Sequence, residues 1–465
     1  MSEKINLLFP VETINRELDF RLFFACLSAR ADRRIWIGQS RVIYSLAHAI
    51  QGGVYVGKNL WGLPPNLTWN RYHNLKNQGY KCVHLDEEGA VHYGETEQWK
   101  AELSRRFDPT QLQPDDYVCT WGDFQRDYYL SLDPPCAGNI HSTGHPRFDL
   151  YKPAFRDYYA TDAQKLRERY GDFVLINTNF SQVNHHSGPP RIFSERWGYR
   201  ADDPQKRLDF FDRWRHLSFT LTNFVRLTNR LSVEFPHINI VLRPHPSENQ
   251  NFYRAAFDGV PNVHVTREGS VGPWLFACRA MIHDGCTTGL EAHFGGVHVI
   301  NYKSVEDTAH DLYLPNVFGA RCTSDEAVMD EVHASLKNKR AVNSSVDAAV
   351  SPPVPGLACA LLENLRSDAF QRLGTVLDEV VASMDVATSA YTPGKFALRE
   401  GLRSYGRRVK QNLLRRSREP GRERMGKFYG FEGVDLDERL ERVQTVTKTR
   451  IKYTVHSGEL VSIEL

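Results

Sequence analysis

The chain reads as an α/β protein in which two parallel-sheet lobes follow one another and face each other across a cleft, and three observations predict this. Strand-length apolar runs alternate with helix-length amphipathic stretches from residue 5 to residue 85. The same alternation restarts at residue 172 and continues to residue 301. Several of the strands stop at Gly, Pro or charged residues, and the carboxyl ends of strands are where open α/β sheets place their ligand loops.

In the first series, Ile5-Asn6-Leu7-Leu8-Phe9-Pro10 is a buried strand, and the spacing of Leu18, Leu22, Phe23, Cys26 and Leu27 fits a helix. Ile35-Trp36-Ile37-Gly38 is a second strand, Val42 to Ile50 a helix, Gly53-Val54-Tyr55-Val56 a strand, and Gln78 to Leu85 leads into another. Strands separated by helices imply crossover connections and a parallel sheet. The second series has a helical stretch at Ala163 to Tyr170, a strand at Asp172 to Asn177 and a polar loop from Thr178 to Pro190. A long helix, Leu208 to Phe235, then feeds the strand Ile238 to Leu242, which breaks at Arg243-Pro244. Further strands are expected at Val263 to Val265, Ala280 to His283 and Val297 to Asn301. The boundary between the series falls within 151–170, and Pro352, Pro353 and Pro355 mark a second break before a helix from Leu357 to Met384. The expected division is an N-terminal lobe at 1–160, a second lobe at 165–350, a helical segment at 356–390 and a basic C-terminal extension at 391–465.

Composition narrows the class. A chain of 465 residues exceeds what one hydrophobic core usually serves, and 41% hydrophobic with 25% charged residues is a globular balance. No run approaches the roughly 18 to 20 apolar residues of a membrane-spanning helix, and Met1-Ser2-Glu3-Lys4 moves directly into a strand, so a cytoplasmic location is expected. Eight cysteines lack a CxxC pair or zinc-like spacing and read as reduced core residues. The formal charge of +2 does not indicate a nucleic-acid binder. The charge is uneven, however, with twelve Lys/Arg against three Glu from Lys395 to Lys427. Phe396, Leu402, Tyr405, Val409 and Leu413 recur there near helical spacing, a pattern suited to an anionic membrane surface and a peripheral location.

Three strand-end segments are candidates for chemistry. Arg243-Pro244-His245-Pro246 offers two cationic donors to a phosphate on a turn stiffened by proline. Gly285-Cys286-Thr287-Thr288-Gly289-Leu290-Glu291 permits a tight strand-to-helix turn, with Thr287 and Thr288 at a helix N-terminus whose unpaired N–H groups favour an anion. Glu291, one turn in, is placed to reach a ribose diol, and the alternative use of the same residues is a capping box with Glu291 reciprocal to Thr287 or Thr288. The third segment is Asp86-Glu87-Glu88-Gly89, where mutual repulsion of three acids is expected to raise one pKa into the range of a base.

Other patterns are weaker. Gly52 to Lys58 matches GxxxxGK, but Asn59 replaces the Mg²⁺-ligating Ser/Thr and the middle reads as strand. Gly285 to Gly289 has nucleophile-elbow spacing with Thr in place of Ser. His185-His186 lacks further ligands at metal spacing, so no metal site is expected.

Taken in order, Pro10-Val11-Glu12 with Arg16-Glu17-Leu18-Asp19, Leu85 to Gly89, Thr143-Gly144-His145-Pro146-Arg147-Phe148-Asp149, Ile176 to Phe180, Arg243 to Pro246 and Cys286 to Ala292 resemble bacterial surface carbohydrate biosynthesis proteins over residues 5 to 305. That family is similar to GT-B glycosyltransferases that use CMP-activated 2-keto sugar acids such as Kdo, sialic, legionaminic or pseudaminic acid. Such enzymes carry an acidic pair before Gly, a His-Pro and a paired Ser/Thr motif, here Glu87-Glu88-Gly89, His245-Pro246 and Thr287-Thr288. The resemblance implies that Glu87 or Glu88 is the base for an acceptor hydroxyl and that His245, Thr287 and Thr288 hold the CMP phosphate. It implies a CMP-sugar donor, a glycan or lipid-linked acceptor and no separate cofactor. Three acids precede Gly89, so the choice among Asp86, Glu87 and Glu88 stays open, as does the stereochemical outcome. The alternatives are a GT-B-like transferase using CDP-glycerol or a UDP-sugar, and a catalytically silent carbohydrate-binding or scaffold protein.

Overall fold

Seven consecutive buried residues, Ile5–Val11, form strand β1, and a strand buried on both faces takes parallel neighbours. The computed structural model describes residues 4–50, 52–58, 67–306, 309–337, 355–384, 428, 430–431 and 435–465. The chain divides into two units. The first comprises Met1–Ala90, Lys100–Leu150 and Cys359–Leu465, and the second Val91–Trp99 and Tyr151–Ala358.

The first unit is built on an eight-stranded sheet. Its parallel part contains β1, β2 (Arg33–Gln39), β3 (Gly53–Gly57), β4 (Tyr80–Leu85), β5 (Tyr117–Thr120) and β6 (Ile140–Ser142), in the order β2-β1-β3-β4-β5-β6. The order reverses between β1 and β3, which makes the ends of those strands the switch point of this sheet. The second unit holds β7 (Phe173–Asn177), β8 (Asn239–Arg243), β9 (Val263–Val265), β10 (Ala280–His283), β11 (Val299–Tyr302) and β12 (Ala320–Cys322). These six strands are all parallel in the order β12-β11-β10-β7-β8-β9, the doubly wound pattern with its switch point between β7 and β10. The long amphipathic helix Pro204–Glu234 covers this sheet, burying Phe224, Leu227 and Leu231 against Ile240 and Leu242. Both units are thus Rossmann-like α/β folds.

The C-terminal residues depart from the expected layout. Instead of an appended extension, β13 (Lys452–Ser457) and β14 (Leu460–Glu464) form an antiparallel hairpin that pairs β14 with β2 and lengthens the first sheet. Leu460, Val461 and Ile463 are fully buried there, and Lys4 and Arg34 both pair with Glu464. The helix Leu436–Thr447 lies against the helix Asp19–Ser28, with Arg439 paired to Asp19. The basic stretch 395–427 lies outside the described residues. No helix among the described residues is long and apolar enough to cross a membrane. All eight cysteines are free thiols, and six of them are buried.

The single helix expected from Leu357 to Met384 is broken into Gly356–Leu361 and Ala369–Ala382. Between the two helices, Asn364 packs its buried side chain against the segment 145–149. Its Oδ1 accepts the His145 N–H at 2.8 Å, and its Nδ2 donates to the His145 carbonyl at 3.0 Å and to Asp149 Oδ1 at 2.8 Å. Asn364→Ala is expected to cost about 3 kcal/mol by leaving these buried groups without that partner. A lowered urea midpoint with an unchanged far-ultraviolet spectrum is the measurement.

Candidate functional site

At the switch point of the second unit, β7 ends at Asn177, β8 at Arg243 and β10 at His283. The loop after β7 ties the other two ends together. Asn177 Nδ2 donates to Thr288 Oγ1 at 2.9 Å, and Asn179 Nδ2 donates to the Gly285 carbonyl at 3.3 Å. On the other side, the fully buried Glu248 carboxylate accepts from Thr178 Oγ1 at 2.9 Å, from the Phe180 N–H at 3.1 Å and from the His245 N–H at 3.0 Å. Ser181 Oγ lies 2.9 Å from His245 Nδ1, and the Ser247 N–H donates to the same nitrogen at 3.2 Å. Because Nδ1 accepts, the neutral imidazole carries its proton on Nε2, which makes that nitrogen a hydrogen-bond donor.

The turn after β10 is held by Gly285, whose φ of +60° suits glycine and whose N–H donates to Asn316 Oδ1 at 2.8 Å. The helix Thr288–Phe294 follows, and the capping box that is the alternative use of these residues does not form. Thr287 already has helical angles (φ −56°, ψ −23°) and makes no side-chain cap, while Thr288 Oγ1 turns to Cys286 Sγ at 3.0 Å and to Asn177. Glu291 is buried at 4% exposure. Gly289 has a packing role, since a Cβ there would stand 2.4 Å from the ring of His283, an imidazole that burial pushes down to about 4. Gly289→Ala is therefore expected to destabilise by about 1–3 kcal/mol through overpacking, read as a fall in melting temperature.

Arg243 uses its guanidinium locally. Nη1 donates to the Glu268 carbonyl at 2.8 Å and Nη2 to the Gly269 carbonyl at 2.5 Å, with the group 5.6 Å from the Trp274 ring centre. Burial, helped by Arg267, lowers its pKa to about 10. The exposed Pro246 accepts from Arg267 Nη1 through its carbonyl at 2.6 Å. His245 and Thr288 are thus joined through the 177–181 loop, while Arg243 braces the loop at 268–269. His185 and His186 sit in the loop after β7, where the His186 N–H donates to the Ser247 carbonyl at 2.9 Å.

In the first unit, the acidic triplet follows β4, and the structure corrects the expected electrostatics. None of the three carboxyls has a raised pKa. Burial opposes ionisation of Asp86, Glu87 and Glu88, but neighbouring cations outweigh it and hold each below its ordinary value. Glu88, with a side chain 43% exposed, pairs with Arg16 at 3.0 Å and Arg106 at 3.1 Å. Asp86 pairs with Arg106 at 3.1 Å. Glu87, 1% exposed, lies 3.3 Å from His145 Nε2, 3.9 Å from Arg147 and 4.0 Å from Arg21. The Arg147 N–H donates to His145 Nδ1 at 3.1 Å, so this ring too presents Nε2–H, here toward the Glu87 carboxylate. At the β1/β3 switch point, Lys58 at the end of β3 meets Glu17 at 2.9 Å and Glu12 at 3.3 Å. The stretch Gly53–Gly57 before it is strand, as its pattern predicts.

Sequence reasoning missed Ser181, Glu248, Lys58, Arg21 and His145 as parts of these clusters. The usable signal was position, because Lys58 and His145 also follow strand ends of a parallel sheet.

No family model matches the chain, and no curated protein matches it in sequence. Among solved structures, the UDP-GlcNAc 2-epimerase of Methanocaldococcus jannaschii is similar over 81% of this chain and 99% of its own, at 12% identity and a TM-score of 0.43. The wall teichoic acid polymerase TagF is similar over 71% of this chain and 72% of its own, at 11% identity and a TM-score of 0.37. Anabaena HepE, solved with UDP-glucose, is similar over 82% of this chain and 98% of its own, at 12% identity and a TM-score of 0.40. At such identities the chemistry has to be read from this chain's own side chains.

Proposed function

We propose that this chain is a GT-B-type glycosyltransferase of bacterial surface polysaccharide biosynthesis. It transfers a 2-keto sugar acid from a CMP-activated donor to a glycan or lipid-linked glycan acceptor. The observation that carries the reading is the hydrogen-bonded polar floor at the β7/β10 switch point, where Asn177, Ser181, His245 and Thr288 are fixed beside one another by residues 177–181. That is where a doubly wound sheet binds its ligand.

In the reaction, the bond between the sugar's anomeric carbon and the phosphate oxygen breaks, and its electron pair leaves with CMP. The acceptor oxygen bonds to that carbon, and its proton goes to a carboxylate. His245 Nε2–H and the Thr287 hydroxyl donate to the departing phosphate, and the Thr288 hydroxyl joins them by turning its proton from Cys286 Sγ, so that donors face the developing charge. Glu88 is the base in this reading, because its side chain is 43% exposed whereas that of Glu87 is 2% exposed. Its pairing with Arg16 and Arg106 keeps it ionised but weakens it as a base, so accepting the proton requires release from at least one of those arginines. Glu87 is a positioning residue that orients His145. Arg243, Pro246, Gly289 and Glu291 belong to the donor loops, shaping them through the contacts described above.

The test is to incubate the protein with a panel of CMP-activated sugar acids and measure CMP release, alongside thermal shifts with CMP, CDP and UDP. CMP release with at least one donor, and the largest shift with CMP, is the expected result. A larger shift with CDP or UDP moves the reading to a CDP-glycerol or UDP-sugar transferase. CMP release unaffected by alanine at Glu88 removes the assigned base.

A further inference from the structure

The described residues of the second unit line a cavity of about 490 Å³, and it contains none of the side chains assigned above to the nucleotide. Its volume falls within the usual range of small-ligand pockets. One side is polar and rigid. Lys303, just past β11 and 3% exposed, lies 2.6 Å from Asp311 Oδ1 and 2.9 Å from Asp284 Oδ1. Asn316 Nδ2 donates to Asp284 Oδ1 at 3.0 Å, and Asn316 Oδ1 holds the Gly285 N–H. Another part of the lining is aromatic, with the rings of Trp99 and Tyr313 centred 5.6 Å apart and tilted by 37°. The segment carrying Trp99 is anchored by the Gly94 N–H, which donates to the Asp311 carbonyl at 3.2 Å, and by an antiparallel bridge between Tyr93 and Leu312.

Charge decides what such a cavity holds. Its one buried cation, Lys303, is shared between two carboxylates, and the rim cation Arg321 pairs with Glu306 at 2.6 Å. No positive charge is left over for an anion, and burying one beside Asp311 would be costly. The fixed carboxylate and amide suit hydroxyl groups, which both donate and accept. The exposed part of Tyr313 suits an apolar face, and because the Tyr313 and Trp99 rings pack on each other they leave no slot between them for a flat base. A ligand with hydroxyls on its edge, an apolar face and no charge is a neutral sugar ring.

We propose that this cavity is a binding subsite for a neutral saccharide residue, with Asp311 and Asn316 engaging hydroxyls and Tyr313 covering the apolar face of the ring. The proposal stands independently of the donor reading above. It is tested by saturation-transfer NMR on the full chain with methyl β-D-glucopyranoside, lactose and chitobiose, using glucuronic acid and cytidine as comparison ligands. At least one neutral saccharide is expected to receive saturation and to bind more tightly than glucuronate and cytidine. Tyr313→Ala is expected to weaken it about tenfold while Tyr313→Phe retains it. Should Tyr313→Ala unfold, Asp311→Asn serves in its place, with a loss again expected. Absence of any neutral-saccharide signal, an unchanged signal in the variant, or preference for glucuronate or cytidine overturns the proposal. The CMP thermal shift is measured on the same samples. Failure of the nucleotide reading removes that shift and leaves the saccharide signal, whereas failure of the subsite does the reverse.

Discussion

His245→Ala is expected to lower the rate of CMP release from the donor by about 10² to 10³, the usual loss for one preorganised donor to developing charge. The ring is held by two contacts on one nitrogen, Ser181 Oγ and the Ser247 N–H, so its other nitrogen has a fixed direction and a fixed proton. Folding is expected to survive. Its backbone is tied into the fold by its N–H, which donates to the Glu248 carboxylate, and by its carbonyl, which accepts from the Glu248 N–H at 2.8 Å, and alanine keeps both. Rate measured by CMP release and melting temperature measured on the same preparation separate the two effects. Near-normal turnover of the variant, or a strict requirement for Mg²⁺, removes the phosphate role from His245. Ser181→Ala acts on the same nitrogen indirectly, and a smaller loss in the same assay is its expected result.

The largest expected effect on stability belongs to Glu87. Its carboxylate faces Arg21 and Arg147, whose side chains are 1% and 3% exposed, and Glu87→Ala leaves those charges buried without it. Removing one partner of such a buried group costs about 3–5 kcal/mol, visible as a large drop in the urea midpoint. Glu88→Gln provides the contrast, because a carboxylate so exposed is worth at most about 1 kcal/mol to the fold. On the proposed mechanism Glu88→Gln nevertheless stops transfer, so stability and activity are lost in different variants. A lesion of activity without stability loss in Glu87→Ala would reverse the two assignments.

The same cluster sets an acid limit. The folded pKa of Glu87 lies well below the ordinary glutamate value of 4.5, with Asp86 and Glu88 also depressed. A group depressed in this way adds stability that is fully present above its unfolded pKa and is lost as pH falls toward the folded one. Melting temperature is therefore expected to hold steady above about pH 5 and to fall steeply below about pH 4.5, with a shallower fall in the Glu87→Ala variant.

The strands legible in the sequence are those whose apolar runs are long enough to show a period, such as Ile5–Val11 and Phe173–Asn177. β5, β6 and β12 have four, three and three residues and lie outside the two alternating series whose rhythm marks the equally short β9 and β10. In β13 the residues facing out are mostly exposed and polar, so the hairpin that closes the first sheet reads as an irregular tail. Within the site, the tight turn at Gly285 and the hydroxyls of Thr287 and Thr288 are visible as local chemistry. Glu248, Asn364 and Gly289 are not, because what each does depends on a partner such as Thr178, His145 or His283 brought there by the fold. The acidic triplet shows the same limit. Three adjacent acids repel one another on paper, and the arrival of His145, Lys58, Arg16 and Arg106 from other elements reverses the sign of the shift.

The pairing of β14 with β2 also orders events in time. Val461 and Ile463 cover Ile37 and Ile35, yet they leave the ribosome only after the whole second unit has been made. At usual elongation rates that delay is on the order of 20 to 80 seconds, during which β2 is an open edge able to pair with a neighbouring nascent chain. β2 therefore waits for its outer neighbour until long after its other partner, β1, has been made, and the edge then passes to β13. Chains interrupted before residue 460 lack the outer neighbour of β2 and keep that edge open.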